Sequence, residues 1–235
     1  MNFDEVMAAL EEMGNEQTKN TYLRHGAHEP LFGVKIGDLK KLVKHVKNDQ
    51  GLVLSLYESG NFDAMYLAGL SVNPKNMNKE MLQDWVDKAD WYMLAEYTVA
   101  NVTAESAYAI ELANEWIKSE YEMVATAGWS AYAGYISITS DQEINIDEIK
   151  QYLKHIENTI HEERNRVRYV MNGFVISVGA HVAPLLDEAK QVAKKIGRVH
   201  VDVGDTACKV PVATSYIKKI EDKGRVGVKR KTCIC

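Results

Sequence analysis

The stretch Asn145–Ile160, with the sequence NIDEIKQYLKHIENTI, decides the fold class. Four apolar residues in it recur at spacings of three and four: Ile149, Leu153, Ile156 and Ile160. This spacing predicts a helix with one face buried against a neighbour. Asn145 stands three positions before Glu148, which is typical of the residue that caps the start of a helix.

The same pattern continues in both directions along the chain. Further apolar stripes of helical spacing lie within residues 36–46, 81–86 and 185–196. Candidate helix starts at Asn61, Thr103, Asn145 and Pro184 are 42, 42 and 39 residues apart, and those at Asn78 and Ser119 are 41 apart. Helix pairs that recur about every 40 residues are typical of HEAT repeats. An irregular helical bundle with coincidental spacing is the alternative interpretation.

We therefore predict an all-α, HEAT-like helical-repeat solenoid over residues 1–198. Only Val199–Val203 alternates like a strand, and one short strand cannot build a sheet. Residues 199–235 are predicted to form a C-terminal extension packed on the solenoid. It would consist of a short strand or loop, a helix and an irregular basic tail.

Charge is distributed unevenly along the 235 residues, whose net charge is −5. Residues 1–208 hold 20 Lys and Arg against 31 Asp and Glu, whereas residues 209–235 hold eight against two. An acidic body thus carries a basic arm, and such arms often contact nucleic acid. The alternative is a solvated tail.

The 15 Gly and four Pro are too few for collagen-like or disordered classes.

The N-terminal residues and the cysteines bear on cellular location, and the cysteines also bear on metal binding. The first ten residues lack the basic and apolar regions of a signal peptide, and no transmembrane segment is expected. Cys208, Cys233 and Cys235 form no disulfide framework, which favours a reducing cytoplasm. With His200 they have the ligand types of a zinc site but no paired CxxC spacing, so we predict no metal and no cofactor.

The motif Trp91-Tyr-Met-Leu-Ala-Glu-Tyr97 places Tyr92 and Glu96 four residues apart, on one helix face. A carboxylate beside an aromatic surface could stabilise a cationic ligand or an oxocarbenium-like transition state. The alternative is that Trp91 belongs to the core and that Glu96 is solvated.

Arginines at the start of a helix are suited to phosphate contacts, and His161–Tyr169 contains three: Arg164, Arg166 and Arg168. Pairing with Glu162 and Glu163 is the alternative. Lys209 precedes another predicted helix start and could hold a phosphate. The arm adds four cations that we predict to contact DNA: Arg225, Lys229, Arg230 and Lys231.

A family resemblance covers nearly the whole chain. It is carried by Phe32-Gly-Val34, by Ser59–Ala68, by the motif at 91–97, by Arg166–Val175 and by Gly204–Pro211 with the tail Lys229–Thr232. These segments resemble the HEAT-repeat DNA alkylation-repair family, the AlkD-like DNA glycosylases and their relatives. The last two look like one uncharacterised branch of that family.

The resemblance implies binding of DNA in a concave groove and release of cationic alkylated purines. It places the family's catalytic aspartate at Glu96, a tryptophan at Tyr92, a second tryptophan at Phe174 and the accompanying arginine at Thr126. The implied catalytic set is Glu96, Tyr92, Trp91 and Phe174. Glu adds a methylene to the aspartate, and small misplacements are costly in catalysis.

Three hypotheses follow. The first is a DNA-binding protein that holds duplex, alkylated or branched DNA on its concave face. The second adds glycosylase activity through Glu96. The third, supported by the acidic body, is a HEAT-repeat scaffold that binds a protein partner.

Overall fold

The computed structural model describes residues 1–234, and regular secondary structure in this range is helical. In chain order the α-helices are α1 Phe3–Met13, α2 Glu16–Arg24, α3 Ile36–Val46, α4 Gln50–Glu58, α5 Phe62–Ser71, α6 Lys79–Asp87, α7 Tyr92–Leu94, α8 Ala100–Ala104, α9 Ala109–Trp116, α10 Glu122–Ile138, α11 Ile146–Thr159, α12 Asn165–His181, α13 Leu186–Ile196 and α14 Ala213–Asp222. A π-helical turn, Ala95–Val99, joins α7 to α8. Short 3₁₀ helices occupy Pro74–Asn76 and Ala183–Leu185.

The helices stack in two layers. The inner layer runs α5, α7–α8, α10, α12 and α14, each packed against the next, and α10 against α12 is the most extensive contact. The outer layer consists of α4, α6, α9, α11 and α13, while α1 packs against α3, α4 and α5. The all-helical solenoid predicted from the apolar spacing is confirmed. We call the surface formed by the inner layer the concave surface.

Polar contacts join successive outer helices at intervals of roughly one repeat. Lys88 Nζ bonds Glu58 Oε1 at 2.7 Å, and Lys79 Nζ bonds Glu111 Oε1 at 2.7 Å. Further along, Asn114 Nδ2 donates to Glu148 Oε1 at 2.9 Å. Each outer helix from α4 to α11 is therefore bonded to the next through a carboxylate, although the position along the helix differs. Each exposed pair adds little stability, about 0–1 kcal/mol.

Asparagine caps begin several of the helices at the predicted positions. The side chains of Asn61, Asn78 and Asn145 accept backbone N–H groups at the starts of α5, α6 and α11. Two predicted starts are wrong. Thr103 is fully buried at the end of α8, which begins at Ala100 and ends at Ala104. Near Ser119 the helix α10 begins only at Glu122.

The segment after α13 is a loop, and the strand considered at Val199–Val203 does not form. Asn165 side-chain atoms exchange two 2.8 Å hydrogen bonds with the backbone of Asp202. These bonds take the backbone polar groups that a strand would offer to a partner. The loop leads to α14, which packs against α12 and α13.

The basic tail, defined as residues 223–234, crosses the inner layer and is not an extended arm. Gly227 N donates to Ala180 O at 2.9 Å, and Arg230 N donates to Ser137 O at 2.8 Å. Its end is bound to one carboxylate, because Glu105 Oε1 accepts Cys233 N at 2.6 Å and Ile234 N at 3.1 Å. The tail thus contacts the ends of α12, α10 and α8 in turn.

Within residues 1–234, no single helix is long and apolar enough to cross a membrane. The helices 165–181 and 183–196 reach that length and apolar content only when taken together, and they are sharply bent relative to each other.

Candidate nucleic-acid interface

The centre of the concave surface is the irregular segment α7–π turn–α8. In the π turn each N–H reaches the carbonyl five residues back, which changes the directions of its side chains; such turns are frequent at functional sites. Glu96 lies in this turn and is only 7% exposed. The alternative of a solvated Glu96 is therefore wrong.

Glu96 is bound by Arg166 from the first turn of α12, because Arg166 Nε donates to Glu96 Oε1. The Arg166 guanidinium also lies between two aromatic rings. Its Cζ is 3.9 Å from the centroid of the Tyr92 ring and 4.0 Å from that of the Tyr169 ring. Cation–π contacts of this kind strengthen as they are desolvated, to about 2 kcal/mol. The ion pair and both rings together hold the arginine in one orientation.

The charge of this pair is set by two opposing effects. Burial raises the pKa of the Glu96 carboxyl above its ordinary value, and the hydrogen bond and charge of Arg166 oppose that rise. The same hydrogen bond to Glu96 raises the pKa of the Arg166 guanidinium, against the effect of burial. The guanidinium therefore stays charged.

Two adjoining clefts open on the concave surface beside this pair. The serine cleft has a volume of about 380 Å³ and is lined by Glu96, Asn101, His181, Arg230 and three serines, Ser130, Ser137 and Ser177. The arginine cleft has a volume of about 560 Å³ and is lined by Arg24, His25, Asp90, Tyr92, Glu122, Arg166, Asp202, Cys208 and Lys209. Tyr97 and Tyr169 line both clefts and form the division between them.

Negative charge is concentrated on the outer layer. Its five helices contain eleven acidic residues: Glu58, Glu80, Asp84, Asp87, Glu111, Glu115, Asp147, Glu148, Glu157, Asp187 and Glu188. The inner segments from α5 to α12 contain only Asp63, Glu96 and Glu122. Asp63 accepts three backbone N–H groups, and Glu122 Oε1 accepts Arg166 N at 2.6 Å.

The clefts themselves are close to neutral. Four cations line them, namely Arg24, Arg166, Lys209 and Arg230, and so do four carboxylates, namely Asp90, Glu96, Glu122 and Asp202. Burial lowers the pKa of the His181 imidazole, so it adds no charge at pH 7. The acidic body therefore does not present an acidic concave surface.

The aromatic residues predicted for the site are divided between the clefts and the core. Tyr92 lines the arginine cleft and contacts Arg166. Trp91 is 4% exposed and donates Nε1–H to His25 O at 2.8 Å, which agrees with the core alternative. Phe174 is fully buried among Trp129, Tyr132 and Tyr152, and it lines neither cleft.

The predicted phosphate-binding cations are similarly divided. Arg166, Lys209 and Arg230 line the clefts. Three others bind the protein itself: Arg164 Nη1 donates to the carbonyls of Ser119 and Glu120, Arg168 Nη2 donates to Asn165, and Lys229 Nζ pairs with Asp141 Oδ1 at 2.8 Å. Arg225 and Lys231 are exposed on the tail.

The resemblance places the family's accompanying arginine at Thr126, which carries no charge. Thr126 is fully buried in α10, and its hydroxyl bonds no described residue. The charge partner of Glu96 in this chain is Arg166 of α12, which lies 70 residues after it. The carboxylate is therefore paired although Thr126 supplies no charge.

Sequence reasoning missed the two tyrosines that divide the clefts. Tyr169 follows Arg166 by three residues, so helical spacing could have placed both on one face. Tyr97 directly follows Glu96, and an ideal α-helix would direct neighbouring side chains about 100° apart. The π turn places Tyr97 at the same two clefts as Glu96 and Arg166. None of the sequence patterns described above predicts a π turn.

Among residues 1–234, no group of three or more His, Cys, Asp or Glu residues is arranged to hold a metal ion. Cys208 is exposed and Cys233 is buried, and both are free thiols. Cys235 lies outside the described residues.

The chain is similar to known proteins along most or all of its length. Residues 6–199 match the family model described as DNA alkylation repair enzyme. Uncharacterized proteins of Listeria monocytogenes and Listeria innocua are 34% and 35% identical over 227 residues, covering 94% of this chain and 98% of theirs.

A solved structure is 38% identical, with a TM-score of 0.92 and full coverage of both chains. It is described as belonging to a new family of proteins related to the HEAT-like repeat DNA glycosylases with affinity for branched DNA structures. With the family model covering residues 6–199, the chain belongs to the DNA alkylation repair family.

Proposed function

We propose that this protein binds branched DNA on its concave surface, and that exposed tyrosines stack on bases at the branch. The observation that carries the proposal is Tyr97, whose side chain is 45% exposed at the division between two clefts. Aromatic side chains stack on unpaired bases with about 1–3 kcal/mol per base. A branch point interrupts the base stack and exposes the faces of the bases beside it, whereas a continuous duplex keeps its bases stacked inside.

The charge distribution also favours a branch over a long duplex. Binding of uniform duplex relies on neutralising many phosphates, and each such contact releases counterions. The clefts hold equal numbers of cations and carboxylates, so this contribution is small. Lys209 and Arg230 are the cations placed to contact phosphate there, with Arg225 and Lys231 as further exposed positions on the tail.

The relative with a solved structure supports the choice of ligand. Its described affinity is for branched DNA structures, and it is 38% identical along the full length of both chains. Sequence identity and backbone similarity of this degree make a shared ligand class the simplest expectation.

Substitution of Tyr97 by alanine is expected to weaken binding of a four-way junction about tenfold, because one base-stacking contact is lost. Affinity can be measured by fluorescence anisotropy with labelled junction and linear duplex. Tyr121→Ala is the matched control, since Tyr121 is 79% exposed and lines neither cleft. Equal affinity of the wild-type protein for junction and duplex would contradict the proposal.

Base excision through Glu96 is a more specific hypothesis than DNA binding alone. The contact between Glu96 and Arg166 disfavours it. Stabilisation of a developing charge requires charges aimed at the reacting atoms. Glu96 lines the serine cleft, but it is only 7% exposed and its charge is already compensated by Arg166. The pair therefore offers a positive sugar less stabilisation than a free carboxylate would.

We therefore expect neither the wild-type protein nor Glu96→Gln to release methylated purines from alkylated DNA above background. Chromatography of the released bases measures this, with an active alkylpurine glycosylase as positive control. Release by the wild-type protein that Glu96→Gln abolishes would instead establish Glu96 as catalytic.

A protein partner is the alternative suggested by the acidic outer layer. That surface is remote from the clefts, so both kinds of binding are compatible in one molecule. A stoichiometric partner recovered together with an absence of junction binding would favour the scaffold function.

A further inference from the structure

Arg166 has a pair of donor groups that the protein leaves open. Its Nε is bound to Glu96, but among residues 1–234 no acceptor bonds Nη1 or Nη2. The side chain is 13% exposed and lines the arginine cleft, so this opening is toward the cleft. A guanidinium presents its N–H groups as a rigid planar fork, suited to two acceptors side by side.

The charge of the pair selects the kind of acceptor. Positive charge favours the binding of a phosphate, and here the charge of the arginine is compensated by the carboxylate of Glu96 directly beside it. A neutral ligand with two adjacent acceptors suffers no such repulsion. Among nucleobases, guanine has this arrangement in its O6 and N7 atoms, and arginine bound to both is the commonest specific contact in DNA recognition.

The surroundings of the fork suit a base more than a backbone. Tyr92 and Tyr169 lie on either side of the guanidinium, and Tyr97 is exposed in the same cleft. Because these rings cover both faces of the guanidinium, a ligand reaches its N–H groups only in the guanidinium plane, as the edge of a base does. Fixed donors of this kind lose little conformational entropy on binding, because the ion pair and rings already hold them.

We infer that Arg166 reads the O6 and N7 atoms of an unpaired guanine at the branch of bound DNA, and that Glu96 is the positioning residue that holds the fork. This inference rests on the branched-DNA binding proposed above. It assigns the carboxylate at the family's catalytic position a role in recognition. It also names a base preference that stacking alone does not supply.

The test uses the full chain and a set of three-way junctions that differ in one unpaired nucleotide at the branch. Guanine and inosine, which both carry O6 and N7, are expected to bind about tenfold more tightly than adenine, cytosine, thymine or 7-deazaguanine. The comparison of guanine with 7-deazaguanine needs no protein variant. It therefore stays decisive even if a substituted protein folds poorly.

Variants separate the fork from its charge. In Arg166→Lys the guanine preference is expected to disappear, because an ammonium cannot bond both acceptors in one plane. In Glu96→Gln the amide oxygen still accepts from Nε, so the preference is retained. That variant exposes an uncompensated positive charge, and the salt dependence of log K is expected to steepen by about one unit. Arg198→Lys, exposed and outside both clefts, is the control and retains the wild-type pattern.

The outcomes distinguish this inference from the proposed function. If the wild-type protein binds junctions no better than duplex, the proposed function fails. If it prefers junctions but binds all six nucleotides equally, or if Arg166→Lys keeps the guanine preference, the inference is overturned and the function stands. Loss of affinity on a neutral methylphosphonate linkage, without any guanine preference, would reassign the fork to a phosphate.

Discussion

Replacement of Asp63 by alanine is expected to lower the free energy of unfolding by about 4 kcal/mol, because three buried N–H groups lose their acceptor. The Asp63 carboxylate accepts Phe32 N at 2.6 Å, Gly33 N at 3.1 Å and Val34 N at 2.9 Å. For a chain of this size the melting temperature is expected to fall by roughly 10 °C. Thermal unfolding followed by circular dichroism measures the change.

The loop that Asp63 holds has little freedom to find another arrangement. Gly33 has a φ of +79°, and a Cβ there would lie 2.5 Å from Lys19 N. Asn15 N also donates to Gly33 O at 3.2 Å, so the loop joins α2 to α5. Loss of the carboxylate therefore loosens the N-terminal helices from the solenoid.

Two further variants test this account of Asp63. Asp63→Asn keeps an acceptor oxygen and is expected to lose less than half as much stability as Asp63→Ala. Asp222→Ala removes an exposed carboxylate paired with Lys218 and is expected to leave the melting temperature unchanged. Equal melting temperatures for Asp63→Ala and the wild-type protein would show that the three N–H groups find other partners.

Replacement of Arg166 by methionine is expected to destabilise the fold by about 3–5 kcal/mol, because it leaves the Glu96 carboxylate buried without its partner. Glu96→Gln combined with Arg166→Met removes both charges and is expected to recover much of that loss. A double-mutant cycle measured by urea unfolding gives the coupling energy between the two residues.

The pH dependence of Arg166→Met follows from the same burial. Without the arginine, the pKa of Glu96 in the folded state is raised further above its value in the unfolded chain. Between these two values the folded state binds more protons, so stability falls as the pH rises. The deficit of Arg166→Met is therefore expected to be smallest at acidic pH, below the ordinary pKa of a glutamate carboxyl, and to grow as the pH rises above it. A pH-independent deficit would contradict a buried, unpaired carboxylate.

The helices were predictable because their signals are local. The stripe in α11 and the asparagine caps of α5, α6 and α11 each depend on residues within a few positions of one another. Thr103 was wrongly predicted as a cap because a residue type that often begins a helix here lies buried at the end of one. Burial, which settles such cases, depends on neighbours distant in sequence.

The site was only partly predictable, for a related reason. Glu96, Tyr92 and Arg166 were each predicted as site residues from the sequence. Their contact was not, because Glu96 and Arg166 are 70 residues apart and meet only through the stacking of the repeats. The same stacking buries the Phe174 side chain of α12 against α10 and α11, and it leaves Tyr97 exposed. The basic tail was recognised by its charge, whereas its course across the inner layer depends on acceptors such as Glu105, which no charge count identifies.

The attachment of the tail to Glu105 has a consequence for how this chain unfolds and evolves. Repeat proteins usually contact only adjacent repeats, so they can fray from one end and can gain or lose units. Here the last residues are fastened to a helix 128 positions earlier, across two intervening inner helices. The C-terminal half therefore behaves as a closed ring of contacts: it opens all together, and it tolerates no added repeat within its span.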